Sequence, residues 1–270
     1  PFEGHTFSAG FGVHRQSLPL TAYFEKPGNL DLDFMQSVHY VAGYSVVLSA
    51  SSLFKVEGYF KDLSHIPIER DKPSYWSFAN SGTGFGTVDT PGELVSNGKG
   101  KTYGAELSFI KHFDHGWYLT ATASYVRQQY KGSDGVGRWG KFDNQYILNL
   151  LAGYEYKVSP RLTIETSAKW TSAGGSPYIP IDLERSIQNN DTEYDKPNAY
   201  TVRLPDYHRF DIRIDFRFNF EGYSLVSYVS VENLFNRKNL LNRKYDSGKK
   251  SIKDVNQIGI FPIGGIKIEF

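Results

Sequence analysis

The sequence predicts an all-β fold, an antiparallel up-and-down transmembrane β-barrel with about ten strands in this chain. Three observations carry that reading. In residues 209–220 (RFDIRIDFRFNF), Phe210, Ile212, Ile214, Phe216, Phe218 and Phe220 alternate without a break with Asp211, Arg213, Asp215, Arg217 and Asn219. A period of two is that of a β-strand with one apolar and one polar face. The connections between such stretches alternate strictly between short and long, as periplasmic turns and extracellular loops do in a membrane barrel. Finally, charges recur on one face of strand after strand, at Lys55 and Glu57, at Glu165 and Lys169, and along 211–217. A dry core holding them would carry large desolvation costs, whereas a wet lumen would not. Twelve residues at ~3.3 Å, tilted by ~40°, span roughly 30 Å, about the depth of a bilayer's hydrocarbon.

The elements follow in order. The first strand sets Phe7, Ala9, Phe11 and Val13 against Thr6, Ser8, Gly10 and Gly12, and a loop over 15–35 carries Pro19, Pro27 and Gly28. Val38, Tyr40, Ala42, Tyr44, Val46 and Leu48 form the next apolar face, and the turn 49–52 leads to Phe54, Val56, Gly58 and Phe60. Residues 64–97, rich in Gly, Ser, Pro and Asn, read as a long irregular loop. Tyr103, Ala105, Leu107 and Phe109 then pass through a short turn at 113–116 to Trp117, Leu119, Ala121, Ala123 and Tyr125. After a loop at 132–140, Tyr146, Leu148, Leu150, Ala152, Tyr154 and Tyr156 oppose Asn149, Glu155 and Lys157, with Ile147 and Leu151 breaking the pattern. A turn at Ser159-Pro160 precedes Leu162, Ile164, Thr166, Ala168 and Trp170, and a loop of about thirty residues reaches 206. Beyond 209–220, the strand starting at Tyr223 has unclear faces, 237–257 reads as a polar loop, and the last strand runs over 258–270. Trp117, Tyr154, Tyr156, Trp170, Phe220 and Phe270 lie near strand ends, where interfacial aromatic girdles sit.

Composition narrows the function classes. The net charge of +1 leaves no electrostatic footprint for nucleic acid, and the absence of cysteine removes disulfides, thiol nucleophiles and thiolate metal sites. No apolar run approaches the ~18 residues of a transmembrane helix. His39 and His112 lack ligand spacing, so neither a metal nor another cofactor is expected. The run 82–86, GTGFG, has no strand leading in and no helix following, which reads as a loop rather than a phosphate cradle.

In the C-terminal third, YHRFDIRI at 207–214, VENLFNRKN at 231–239 and a final strand ending in Phe270 resemble the last strands of TonB-dependent outer-membrane receptors. GKTYGAEL at 100–107, KGSDGV at 131–136 and GGSPYIPID at 174–182 resemble the Bacteroidota-type members. The resemblance spans most of the chain, and Asn-Leu-Phe-Asn is its most specific part. It implies a barrel of twenty-two strands, a plug domain and a TonB-binding box. We therefore expect residues 1–270 to be one segment, strands thirteen to twenty-two, with plug and box outside it. The implied function is TonB-energised uptake of a scarce solute across the cell outer membrane, with no enzyme activity. The implied partners are outer-membrane lipid, the rest of the barrel and its plug, TonB through the N-terminal part, the barrel assembly machinery reading Phe270, and in some members a surface lipoprotein.

On this reading Lys55, Glu57, Glu165, Lys169, Asp211, Arg213, Asp215 and Arg217 line the lumen, either holding the plug or lining the transport path. The plainer role for each is cross-strand pairing that keeps the sheet in register. His14, Tyr75, Trp76, Phe78, Phe85 and His208 are the loop-side candidates for contact with a ligand or partner. Two alternatives use the same wall. A self-contained ten-stranded barrel could act as an omptin-like protease, for which Asp206 with His208 and His14 are the rim residues able to activate water. A passive pore or adhesin needs only the generic pattern.

Overall fold

The computed structural model describes residues 3–81 and 92–270. In chain order its strands are β1 (His5–Gln16), β2 (Met35–Ser49), β3 (Ser52–Glu69), β4 (Leu94–Asp114), β5 (Trp117–Lys131), β6 (Gly137–Trp139), β7 (Gln145–Lys157) and β8 (Leu162–Ala173). They continue as β9 (Pro177–Tyr178), β10 (Val202–Arg203), β11 (Tyr207–Asn219), β12 (Ser224–Glu232), β13 (Leu240–Asp246), β14 (Ser251–Asn256) and β15 (Phe261–Glu269). Ten of them form one antiparallel meander, β1-β2-β3-β4-β5-β7-β8-β11-β12-β15, with β6 added beside β5. The described sheet is open, and β1 and β15 each pair on one side only. Among the described residues no helix is long and apolar enough to cross a membrane, so any crossing falls to the strands.

The register turns the period of two into two continuous surfaces. Phe11 pairs with Tyr40, Tyr40 with Phe60, and Phe60 with Tyr103. Further along, Trp170 faces Phe210, Ala168 faces Ile212, Ile214 faces Val229, and Phe218 faces Leu225. The opposite surface joins His39 to Lys61, Glu57 to Glu106, Lys169 to Asp211 and Glu165 to Asp215. The ambiguous strand after Tyr223 is resolved by its partner. In β12, Leu225, Ser227, Val229 and Val231 share the apolar surface of β11, while Val226 and Tyr228 lie on the polar one. Ile147 and Leu151 sit on the polar surface opposite Ser124 and Thr120. Large apolar side chains remain exposed on the outer surface, among them Leu150, Tyr154, Trp170, Ile214 and Ile268, as lipid-facing positions of a barrel are.

All four tight turns fall at one rim and all five long connections at the other. The long ones hold more structure than their composition suggests. β3 and β4 extend to Glu69 and back from Leu94, so 64–69 and 94–97 are paired strand rather than irregular loop. Two register shifts near Ile66 and a left-handed His65 break the alternation there, which hides the pairing from a period-of-two reading. The segment 237–257 is likewise no plain loop, since β13 and β14 form a hairpin within it. Short helices α1 (Leu20–Phe24) and α2 (Leu183–Asn189) and the β9–β10 ladder order two other connections.

A cluster of buried apolar side chains forms where these connections meet the ends of β3 and β4. Leu18, Ala22, Leu32, Ile66, Phe78 and Leu94 pack together, with Trp76 and Leu63 against them. Asn29, wholly buried, closes this core by donating to the Ala22 carbonyl at 2.9 Å and accepting from the Leu94 N–H at 2.9 Å. Burial of such an amide without those partners would cost about 1–3 kcal/mol.

Candidate functional site

The polar surface of the wall is a ladder of paired charges. Lys55 meets Glu57 at 2.7 Å, Arg213 Nε donates to Asp215 at 2.7 Å, and Arg217 reaches Glu269 at 2.6 Å. Arg209 bridges Asp211 at 2.7 Å and Glu232 at 2.9 Å, and the Tyr118 hydroxyl donates to Glu165 at 3.0 Å. Arg213 also lies over the Tyr228 ring at 4.0 Å. Of the eight wall charges singled out from the sequence, Lys169 alone has no ion pair or hydrogen bond to its side chain among the described residues, and it is exposed on the polar face. Its cross-strand partner Asp211 instead accepts from Arg209 and from the Asn233 N–H at 2.8 Å.

Above the ladder, long connections are clamped to one another. Asp143 is fully buried and central to this. Its carboxylate accepts from Arg127 Nε at 3.1 Å, from the Gln128 N–H at 2.8 Å and from Arg203 Nη2 at 2.6 Å. Arg203 also donates to the carbonyls of Asp143 and Gly175, while the Arg127 guanidinium stacks 3.6 Å from the Trp139 ring centre. One carboxylate thus joins the end of β5 to two loops. A second tie is aromatic. Tyr130 is buried and donates to the Tyr75 carbonyl at 3.0 Å, and its ring meets Tyr200 edge-on at 6.0 Å. Burial pushes the Tyr200 phenol up to about 12, helped by the neighbouring Tyr75. Gly132 is required here, because a Cβ would stand 2.2 Å from the Ser74 carbonyl oxygen.

Beside the Tyr75 tie opens a cleft of about 810 Å³ lined by Glu69, Lys72, Tyr75, Trp76, Asp134, Arg138 and Lys196. Arg138 is almost buried and bonds Asp134 at 2.7 Å. Burial works against ionising Asp134, yet Arg138 and the Val136 N–H outweigh it and hold its pKa below the usual carboxylate range. Lys72 lies 3.7 Å from Glu69, so the cleft offers aromatic faces among paired charges of both signs, with Lys196 beside them, a chemistry suited to a polar or π-rich solute. A smaller cavity of about 370 Å³ lies between Phe142, Tyr178, Tyr194, Tyr200, Leu241 and Arg243.

The other candidates scatter. Tyr75 and Trp76 line the cleft, whereas Phe78 is buried in the loop core. Phe85 and the 82–86 run lie outside the described residues. His14 stacks on His39 at 4.3 Å on the polar face of the first hairpin. His208 lies at the apolar side of β11, in a groove of about 400 Å³ with Trp170, Phe210, Phe235 and Arg237. The Asp206 carboxylate accepts from the Tyr146 hydroxyl at 2.7 Å and from the Gly175 N–H at 3.1 Å. The Tyr146 hydroxyl bond, with the Gly175 N–H, His208 and Arg237 adding to it, holds the Asp206 pKa below the usual carboxylate range, and those bonds make the carboxylate a loop clamp. Phe270 is fully exposed. Among the described residues no group of three His, Asp or Glu side chains is placed to hold a metal ion.

Asn233, Asn236 and Asn239, in and just after the Asn-Leu-Phe-Asn run, form a knot. Asn233 and Asn236 adopt left-handed φ of 51° and 48°. Asn233 donates to the Arg237 carbonyl at 2.9 Å and accepts from its N–H at 3.0 Å, while Asn239 exchanges bonds with both backbone groups of His208. The Ile260 N–H closes on Asn236 at 3.0 Å. The motif pins the last long connection to β11.

A family profile described as "TonB dependent receptor-like, beta-barrel" matches residues 5–234. Among solved structures, BauA, the ferric preacinetobactin receptor from Acinetobacter baumannii, is similar at 13% identity and a TM-score of 0.64, over 100% of this chain and 35% of that one. FpvA of P. aeruginosa, solved with a bound pyoverdine–iron complex, is similar at 15% identity and a TM-score of 0.64, over 100% and 31%. The copper transporter OprC is similar at 14% identity and a TM-score of 0.62, over 98% and 37%. The chain thus spans about a third of the length of these structures, and at such identities the likeness is one of fold. No curated protein sequence matches it.

Proposed function

The chain belongs to the TonB-dependent receptor-like β-barrel family, a family of outer-membrane barrels, and from that premise we propose that it supplies wall and extracellular loops to a receptor for energised uptake of a scarce solute. The paired lumen charges face a plug domain, and the solute docks first at the cleft beside the Tyr75 tie. The chain is the C-terminal part of a twenty-two-stranded barrel of Bacteroidota type, inserted by an assembly machinery that reads Phe270. One observation supports this reading above the others. Every long connection lies at one rim, where the described residues build a clamped, aromatic and polar cleft, while the opposite rim has only tight turns. Neighbours in fold handle ferric chelates or copper, and Tyr75 and Trp76 with Lys196 beside them suit a π-rich chelate of that kind.

The test uses the intact receptor in its own cells. Solutes are screened by uptake with and without a proton motive force, and the cleft is probed by replacing Trp76 and Lys72 with Ala. Energy-dependent uptake of one solute, weakened roughly tenfold or more by the cleft substitutions, is expected for a lost aromatic and charged contact. Uptake that ignores the proton motive force would show a passive pore, and uptake indifferent to both substitutions would remove the cleft from the route.

A further inference from the structure

The near-neutral chain hides a strongly basic connection. Residues 233–260 carry Arg237, Lys238, Arg243 and Lys244 on the way out and Lys249, Lys250 and Lys253 on the way back, against Asp246 and Asp254, a net +5. With +1 for the whole chain, everything else sums to −4. The connection leads from the apolar surface of β11 to a hairpin. At its start Phe235 is 74% exposed and lies 5.4 Å from Phe210 on the apolar surface of β11. Phe235 borders the groove with Trp170 and His208, and Arg237 stands at that groove's edge. Next along the chain comes the β13–β14 hairpin. One of its faces is occupied, since Arg243 pairs with Asp254 at 3.0 Å and bonds the Tyr178 hydroxyl at 2.7 Å, and Tyr245 is buried. The other face sets Lys244 directly opposite Lys253.

Like charges directly opposed across two strands destabilise a ladder. Among the described residues, none of Lys238, Lys244, Lys249, Lys250 and Lys253 forms an ion pair. A site with exposed aromatics at one end, a cation at the groove edge and a lysine pair without ion-pair partners at the other is complementary to an amphiphile whose anionic groups sit just over its acyl chains. We propose that this connection is a docking surface for a phosphorylated lipid of the surrounding leaflet, with the acyl chains against Phe235 and Trp170 and the phosphates at Arg237 and the Lys244–Lys253 pair. The assignment rests on the placement of the long connections outside the cell, and the experiment separates the two.

Intact receptor is placed in phosphatidylethanolamine nanodiscs containing one part in ten of bis-phosphorylated lipid A, or of the same lipid after phosphatase treatment, and bound lipid is counted by native mass spectrometry. Lipid A should be retained in preference to its dephosphorylated form. Lys244→Gln/Lys253→Gln should lose that preference by roughly fivefold for each basic residue removed, the contribution of one charge at an anionic surface. Phe235→Ser should weaken both lipids alike. Equal retention of both lipids, or retention unchanged by the double lysine substitution, would overturn the proposal. So would equal competition by inorganic phosphate, which would reduce the site to an anion patch. Unfolding of the variants is controlled by the gel mobility of the unheated barrel. A Ser247→Cys variant on intact cells reports the orientation separately. Labelling by a membrane-impermeant maleimide upholds it, and failure to label overturns both the orientation and this docking surface.

Discussion

At the scale of single residues, two groups in the loop layer decide how firmly the rim is held. Asp143 is fully buried between Arg127 and Arg203. Taking away one partner of such a cluster leaves buried charge uncompensated, which costs about 3–5 kcal/mol, far more than the pair contributes relative to an apolar substitute. Asp143→Ala should therefore release 139–144 and 174–206 to rapid hydrogen exchange while the wall strands stay protected. Unchanged exchange in both loops would refute that role. The sequence gives no sign of this clamp, because Arg203 lies sixty positions from Asp143 and neither residue sits in an alternating stretch. Tyr200 supplies a pH dependence. Its phenol titrates at about 12 in the folded chain against an ordinary 10. A raised folded pKa means that the stabilising contribution is complete below pH 10 and is lost as pH rises through 12. Loop opening, read as loss of exchange protection after correction for the base-catalysed intrinsic rate, should increase across that window, and Tyr200→Phe should abolish the increase. An increase that persists in the phenylalanine variant would assign the titration to another group.

At the scale of elements, β11 shows why the wall was legible and the loops were not. Its alternation is complete because one face meets lipid and the other meets charge, so each side chain is constrained by the same rule. β12 obeys that rule with Ser227 on the apolar face and Val226 on the polar one, two exceptions that blurred its phase until the partner strand fixed it. In β13–β14 one face mixes Arg243 and Asp254 with Tyr245 and Ile252, the other carries Lys244 and Lys253, and the neighbours are loops, so periodicity carries no clear signal. The two faces of β11 should respond differently to substitution. Ile214→Arg puts a charge into lipid, at a cost of about 2–4 kcal/mol near the midplane. Arg213→Ala removes a partly exposed pair worth about 0.2–1 kcal/mol, together with its contact to Tyr228. Folded yield in vesicles should fall sharply for the first and little for the second. Equal losses would mean the faces are assigned the wrong way round.

At the scale of the whole molecule, the sheet's two unpaired edges set the next expectation. β1 and β15 each present a row of backbone donors and acceptors on one side, and in a bilayer such groups must be paired. The intact protein in detergent should weigh about three times this chain, in line with the share of each matched structure that it covers. A stable closed barrel of this chain's own mass would contradict the twenty-two-stranded reading. The two rims, finally, are open to change on different terms. Lengthening a long connection to twice its size adds only about 0.6 kcal/mol of closure entropy. A single residue inserted into a strand beside a tight turn would throw its entire side-chain set onto the wrong face. Descendants of this chain can therefore vary the long connections of one rim far more cheaply than the wall, and inherit an almost fixed hull.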